Sequence, residues 1–158
     1  MKKGTLGVLA ALGGTAIGTL ITGHSLNKRI LDERELRDKH YALFQMMNQW
    51  VKIKQEGKNL SLYFEKQGYK EIAIYGMHFA GETLAEELLE SGIIVRYGID
   101  KNADKIYADF DIVTPDSTLE QVDVIVVTAI TYFNEIEEML SKKTDIPIIS
   151  LEDIVCLV

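Results

Sequence analysis

The sequence contains a single cysteine, Cys156, among its 158 residues. One thiol excludes an internal disulfide and a cysteine-based zinc cluster. No histidine pattern accompanies it, which favours a plain apolar role for this side chain. The sequence also lacks a Ser-His-Asp set, a metal-ligand cluster and a phosphate-binding P-loop. It therefore nominates no catalytic residue and no metal ligand.

Positive charge is scarce in the second half of the chain. Residues 71–158 carry five Lys/Arg against eighteen Asp/Glu, whereas residues 24–70 carry ten against six. Nucleic-acid binding needs a basic surface, so this acidic half argues against a nucleic-acid partner. The length allows one compact domain plus an appendage, and the composition is ordinary for a globular protein.

Charged residues are missing from residues 4–23, "GTLGVLAALGGTAIGTLITG". A helix of this length spans about 30 Å, the thickness of a bilayer core. We therefore expect a membrane anchor, with Gly14 and Gly18 spaced for self-association. A secretory signal peptide and a helix on the membrane surface or packed on the domain are the alternatives. The stretch "ITGHS", residues 21–25 at the end of this segment, lacks the small-x-small ending of a cleavage site.

The basic residues that flank this segment predict its orientation. Lys2 and Lys3 precede it, and a larger group follows it within about twenty residues. That group comprises Lys28, Arg29, Arg34, Arg37 and Lys39. Because the excess lies on the C-terminal side, we expect a single-pass protein whose globular domain is cytoplasmic.

A long stretch without proline or glycine connects this segment to the rest, from residue 27 to residue 55. Its apolar residues recur at helical intervals, which predicts an amphipathic helix. They are Leu36, Leu43, Met47, Trp50 and Val51. This stripe packs on the domain or on a second copy, or it docks a partner. Asn59 or Ser61 is placed to cap a second short helix that Gly68 ends.

The remaining sequence alternates short β-branched runs with helical patterns. The strands are predicted at 72–75, 93–99 and 111–113, in "VDVIVVTA" and in "IPIISL". The intervening helices turn Leu84, Leu88 and Leu89, and then Phe133, Ile136, Met139 and Leu140, toward the core. This alternation predicts a Rossmann-like parallel sheet of about five strands in the order 3-2-1-4-5. The predicted regions are an anchor (1–26), a helical linker (27–58) and the α/β domain (59–158).

Ligands of such sheets bind beyond the carboxyl ends of the strands, where the strand order reverses. Three segments of this chain follow strand ends at that point. They supply the candidate binding residues Gly76, Met77, His78, Phe79, Ala80, Gly81, Asp100, Lys101, Asn102, Thr128 and Ala129.

The first of these segments, "YGMHFAG", departs from the dinucleotide-binding pattern G-x-G-x-x-G. Gly76 and Gly81 match its first and third glycines, but His78 replaces the second. The imidazole occupies space that a pyrophosphate needs, or else donates to a single phosphate. Asp100 follows Gly76 by 24 residues, close to the spacing of a ribose-binding acid. Turn geometry and, for Thr128 and Asp100, local capping explain the same residues without a ligand.

The segments "YKEIAIYGMHFAGETLAEEL", "YGIDKNAD", "VDVIVVTA" and "IPIISLEDI" resemble the small Rossmann-like domains of bacterial surface-polysaccharide gene clusters. The resemblance covers roughly residues 59–155. Relatives of this kind stand alone, are fused to glycosyltransferases, or form nucleotide-sugar-binding domains of sugar acetyltransferases. The resemblance implies a role in surface-glycan assembly and a glycosyltransferase as a candidate partner.

Three functions are consistent with these features. The first is a membrane-tethered module that binds a nucleotide or nucleotide sugar, with NAD(P) the less favoured ligand. The second is a degenerate Rossmann fold that acts as an interaction scaffold. The third is a minimal NAD(P)-dependent enzyme completed by an oligomer partner. Because one histidine without a placed carboxylate is a weak basis for chemistry, we expect the chain not to be catalytic on its own.

Overall fold

The computed structural model describes residue 31 and residues 33–158, and the chain divides into the units Met1–Tyr41 and Ala42–Val158. In the first unit the described residues are helical and largely exposed, with Lys39 paired to Glu35 one turn earlier at 2.6 Å. No helix in the described part of the chain is both long and apolar enough to cross a bilayer. The predicted anchor, residues 4–23, lies outside the described residues.

The second unit contains a parallel sheet. Among the described residues its strands are β1 (Glu71–Tyr75), β2 (Ile94–Ile99), β3 (Asp111–Val113), β4 (Val124–Val127) and β5 (Ile148–Ser150). Their order is β3-β2-β1-β4-β5, so the predicted Rossmann-like fold is confirmed. Strand β1 is central, and its last residue, Tyr75, lies between Ile99 of β2 and Val127 of β4.

Helices cover both faces of this sheet. They are α1 (residues 42–55), α2 (Ser61–Gln67), α3 (Phe79–Leu88), α4 (Phe133–Leu140) and α5 (Leu151–Leu157), with 3-10 turns at Ala103–Lys105 and Ile130–Tyr132. Helices α1, α2, α3 and α5 pack on one face, and α4 packs on the other. Every residue of β4 is buried, as expected of a strand covered on both faces.

The inward face of α1 differs from the predicted stripe. Met46, Trp50 and Ile53 are buried, whereas Val51 is 51% exposed and Leu43 is 36% exposed. The two sets occupy neighbouring faces of one helix, and both are apolar. Leu43 and Val51 therefore do not pack on the sheet within one chain, and packing on a second copy or on a partner stays a prediction for them. Helical periodicity alone does not say which apolar face meets the core.

A buried carboxylate joins the helical segments at this face. The side chain of Glu87 in α3 is 6% exposed. One of its oxygens, Oε2, accepts a hydrogen bond from the indole N–H of Trp50 at 2.6 Å. The other, Oε1, accepts from the main-chain N–H of Leu60 at 2.6 Å and lies 3.5 Å from the ammonium of Lys54. Glu87 thus links α1 and the start of α2 to α3.

Helix α2 begins differently from the prediction and ends as predicted. Leu60 occupies the N-cap position, and neither Asn59 nor Ser61 supplies a side-chain cap. The reason is that burial of Leu60 and its bond to Glu87 set where the helix starts. Gly68 ends the helix in the left-handed conformation, with φ of 76°, as the sequence indicated.

The inward residues of α3 and α4 largely follow the predicted periodicity. Leu84 and Leu88 are buried, but Leu89 is 69% exposed. Helix α3 ends at Leu88, where the hydroxyl of Ser91 donates to the Leu88 carbonyl. Leu89 keeps helical backbone angles, but it lies about 140° around the helix from Leu84 and so does not share the inward face. In α4, Ile136 and Leu140 are buried, and Phe133 and Met139 pack partly against the same cluster.

Candidate functional site

The turn after β1 is built around Gly76, whose φ is +95°. A Cβ atom here would lie 2.8 Å from the hydroxyl oxygen of Thr128. That hydroxyl donates a hydrogen bond to the Gly76 carbonyl at 2.5 Å and also lies 3.2 Å from the Tyr75 carbonyl. Thr128 is 6% exposed, so its side chain holds the turn from beneath and provides no cap to the helix that follows.

The third glycine of the motif permits close packing of α3 on the turn. A Cβ atom on Gly81 would lie 2.2 Å from the carbonyl oxygen of Gly76, a separation that real structures do not show. Residue 81 must therefore be glycine for α3 to begin this close to β1. The sterics of this fold therefore favour glycine at both residue 76 and residue 81.

The middle position of the motif has no such requirement. His78 has φ of −102° and ψ of −167°, an extended conformation that any residue adopts. Its ring is exposed and contacts the ring of Phe79 edge-on, with centroids 4.0 Å apart. The chain therefore makes the turn with an imidazole where the pattern expects a glycine.

Met77 is directed into the protein and not toward a ligand. The residue is 4% exposed, and its side chain passes over Gly98 of β2. A Cβ atom on Gly98 would lie 2.8 Å from Cγ of Met77 and 2.6 Å from Cδ1 of Ile112. Gly98 is thus the residue that admits the Met77 side chain beneath the turn.

Asp100 binds the turn to the end of β2 through both carboxylate oxygens. Oδ2 accepts the main-chain N–H of Met77 at 2.9 Å, and Oδ1 accepts that of Asn102 at 2.9 Å. In a dinucleotide enzyme the corresponding acid binds a ribose hydroxyl. Here both oxygens of the Asp100 carboxylate already accept hydrogen bonds from main-chain amides, one in the turn after β1 and one after β2.

The main-chain amides at the start of α3 differ from the amide of Met77, which is hydrogen-bonded to Asp100. Within residues 33–158, no group accepts a hydrogen bond from the main-chain N–H groups of residues 78 to 81. Unpaired amides of this kind, at the positive end of a helix dipole, favour an anion.

A cleft of about 440 Å³ opens at the carboxyl edge of the sheet, beside the point where the strand order reverses between β1 and β4. It is lined by Tyr75, Gly76, His78, Asp100, Lys101, Asn102, Ala129, Tyr132, Glu135, Ile136 and Met139. Its volume lies within the range of roughly 300–1,000 Å³ that is typical of small-molecule sites.

Six of the eleven predicted binding residues line this cleft: Gly76, His78, Asp100, Lys101, Asn102 and Ala129. Met77, Phe79, Ala80 and Gly81 belong to the turn and to α3, and Thr128 follows β4; none of these five residues lines the cleft. The structure thus brings residues from all three predicted segments together at one opening.

The list of predicted binding residues leaves out the other five lining residues, Tyr75, Tyr132, Glu135, Ile136 and Met139, although Tyr132 ends the third predicted segment, residues 128–132. The last four recur at intervals of three, one and three, which places them on one helical face. That periodicity was a usable signal, but it indicated the core alone. Tyr75 was counted only as the end of a strand.

The cleft combines acidic groups with an apolar wall. Asp100 and Glu135 line it together with a single lysine, Lys101. Burial raises the pKa of Tyr75, and the charges of Asp100 and Asp116 raise it further. The phenol is therefore neutral and remains a hydrogen-bond donor at physiological pH.

Across residue 31 and residues 33–158, no three side chains of His, Cys, Asp or Glu are grouped so that they could hold a metal ion. The polar groups of the cleft are instead suited to hydrogen bonding with an organic ligand.

Comparison with protein-family models, with curated proteins and with solved structures finds no match for this chain. Any ligand of the cleft must therefore be inferred from its geometry.

Proposed function

We propose that this protein binds a nucleotide or a nucleotide sugar in the cleft at the carboxyl edge of its sheet, as an accessory module that is not catalytic on its own. The observation that carries the proposal is the open cleft itself. It lies beside the reversal of strand order and is lined from the ends of β1, β2 and β4. In sheets of this type, that position is where ligands bind.

The engagement of Asp100 favours nucleotides other than NAD(P). Its two oxygens already accept main-chain amides, so ribose recognition by this carboxylate would compete with the turn. His78 adds an imidazole where a dinucleotide pyrophosphate would approach the backbone. A minimal NAD(P)-dependent enzyme is therefore the less favoured function.

The proposal is tested by calorimetry on the full-length protein with NAD, UDP-sugars and CDP-linked compounds. We expect one nucleotide class to bind with a Kd on the order of micromolar, and NAD to give little heat. His78→Gly should widen the set of nucleotides that bind, because it removes the ring from the turn. If no compound in the panel binds, the nucleotide proposal is wrong.

The setting of this binding is proposed from the sequence. Residues 4–23 would tether the domain to the cytoplasmic face of a membrane, where it would assist surface-polysaccharide assembly, with a glycosyltransferase as its partner. Protease treatment of intact cells should leave the domain uncut, and cleavage from outside would contradict the orientation. Loss of the gene should reduce surface polysaccharide, and an unchanged amount would contradict the process.

A scaffold function is the second candidate, favoured by the outer face of α1. Phe44 is 66% exposed and Val51 is 51% exposed on this helix. A groove of about 350 Å³ includes Val51 and is lined by Met47, Trp50, Val51, Lys54, Thr83, Glu86 and Glu87. A photocrosslinker at position 44 should capture one discrete partner, and Val51→Glu should abolish the product while leaving nucleotide binding unchanged.

A further inference from the structure

Tyr75 is a buried tyrosine whose hydroxyl is left without a protein partner. The residue is 6% exposed and lines the cleft. In the described part of the chain, no group forms a hydrogen bond with its hydroxyl, although buried tyrosine hydroxyls usually find one. No fully buried side-chain oxygen or nitrogen there lacks a partner, so the Tyr75 oxygen keeps some solvent exposure, and the cleft is the opening that this residue lines.

Tyr97 provides an internal comparison on the same face of the sheet. It is 4% exposed and belongs to the same buried cluster as Tyr75. Its hydroxyl donates to the carbonyl of Glu120 at 2.7 Å. One of two similarly buried phenols is thus hydrogen-bonded within the protein, and the other has no such bond and belongs to a residue that lines an open cleft.

The surroundings of the Tyr75 hydroxyl disfavour an anion. Asp100 and Glu135 line the same cleft, and Asp116 acts on the phenol together with Asp100. Lys101 is the single Lys or Arg among the lining residues. A phosphate placed beside the phenol would be repelled by these carboxylates, whereas a neutral group with N–H or O–H donors would not.

The apolar part of the lining suits a flat apolar ring. Ala129, Ile136 and Met139 line it, together with the ring of Tyr132. The amides at the start of α3, which would suit a phosphate, belong to residues 78–81, of which only His78 lines the cleft. The neutral part of a nucleotide therefore matches the cleft better than its phosphates do.

We propose that the cleft holds the nucleoside part of the ligand, and that the Tyr75 hydroxyl is the group that hydrogen-bonds to it and selects it. The phosphates then extend past His78 toward solvent and contribute little to affinity. This inference rests on the proposed nucleotide-binding function of the same cleft.

The test uses the full-length protein and the nucleotide found by the calorimetric panel. Its Kd is compared with that of the corresponding nucleoside at low and high salt. We expect the two values to agree within about threefold and to change little with salt, because few ion pairs are involved. Tyr75→Phe should raise the Kd about tenfold, the effect of one lost hydrogen bond.

Tyr97→Phe is the matched control. It removes a hydroxyl that is bonded within the protein, so it should lower the melting temperature and leave the Kd unchanged. Tyr75→Phe should leave the melting temperature unchanged, since it removes no internal hydrogen bond, and should raise the Kd.

The outcomes separate the two proposals. If the nucleotide binds but its nucleoside binds more than about thirtyfold more weakly, the nucleoside inference is wrong and nucleotide binding stands. An unchanged Kd in Tyr75→Phe also overturns it. If no compound binds, the proposed function fails and this inference fails with it.

Discussion

Each end of the central strand β1 is held by an aspartate next to a neighbouring strand, and the two aspartates use their oxygens differently. At the amino end, Oδ2 of Asp123 accepts the main-chain N–H groups of Lys70 at 2.7 Å and Glu71 at 2.9 Å. At the carboxyl end, Asp100 uses one oxygen for Met77 and the other for Asn102. The first arrangement needs one acceptor oxygen, whereas the second needs both.

This difference coincides with the location of the cleft. The Asp123 end is exposed to solvent and joins β1 to β4. The Asp100 end lies at the opening where ligands of such sheets bind. More contacts at the carboxyl end than at the amino end depend on one particular residue type. Substitutions at the carboxyl end should therefore cost more free energy of unfolding.

The largest expected effect is that of Gly81→Ala at the carboxyl end. Its Cβ would lie 2.2 Å from the Gly76 carbonyl oxygen, so α3 must move away from the turn. We expect a loss of about 3 kcal/mol or more in the free energy of unfolding, measured by urea denaturation. Gly92→Ala, before β2 at the amino edge, is the control, because nothing lies within 4 Å of its Cβ. A comparable loss in both variants would contradict the contrast between the ends.

Asp100→Asn is expected to be next in size. The amide NH₂ would face one of the two main-chain N–H groups that the carboxylate now accepts, so one hydrogen bond is lost and two donors meet. We expect a loss of about 2 kcal/mol in the free energy of unfolding. In Asp123→Asn the remaining acceptor oxygen can still accept both main-chain N–H groups, so this variant should lose clearly less free energy of unfolding. Equal losses in the two variants would show that stability does not depend on whether one or both carboxylate oxygens accept hydrogen bonds.

Thr128→Val examines the support beneath the turn with little change of shape. It removes the hydroxyl that donates to the Gly76 carbonyl at a buried position. We expect a loss of about 1.5 kcal/mol in the free energy of unfolding. Thr128→Ser, which keeps the hydroxyl, should recover most of it. If serine is no better than valine, the hydrogen bond is not what holds the turn.

The smallest effect, that of Asp123→Asn, concerns pH. Main-chain hydrogen bonds from Glu71 and Lys70 lower the pKa of Asp123 below its ordinary value of 3.8. A carboxylate with a lowered folded pKa adds stability above its unfolded pKa and loses that stability as the pH falls through the folded pKa. At pH 7 the variant should be less stable by under about 1 kcal/mol, since the group is exposed.

The pH dependence of that difference is the sharper measurement. Urea denaturation at pH 7, 4 and 2.5 should show the gap between wild type and Asp123→Asn shrinking as the pH falls below about 4. A gap that stays constant or grows on acidification would contradict the lowered pKa. Asp109→Asn, at an exposed position in the loop before β3, is the control for the general effect of removing one negative charge.

Much of the site could be predicted from the sequence, because its turn depends on local rules. Gly76 has a positive φ, and Gly81 sits against the turn, so both positions carry a residue-type signature. Asp100 lies at the predicted strand end, but its bonds to Met77 and Asn102 depend on how the two loops meet. The sequence could not predict that both oxygens of this carboxylate would accept hydrogen bonds from main-chain amides of the same chain.

The alternation of buried strands and amphipathic helices was enough to predict the strand order that the structure shows, since right-handed crossovers leave few arrangements for a parallel sheet. Only tertiary packing decided which apolar face of α1 turns inward, where Trp50 meets Glu87, and why the Tyr75 hydroxyl is left without a protein partner. Periodicity follows from the geometry of one helix or strand. Which of two apolar faces is covered, and which polar atom lacks a partner, depend on residues far away in the chain.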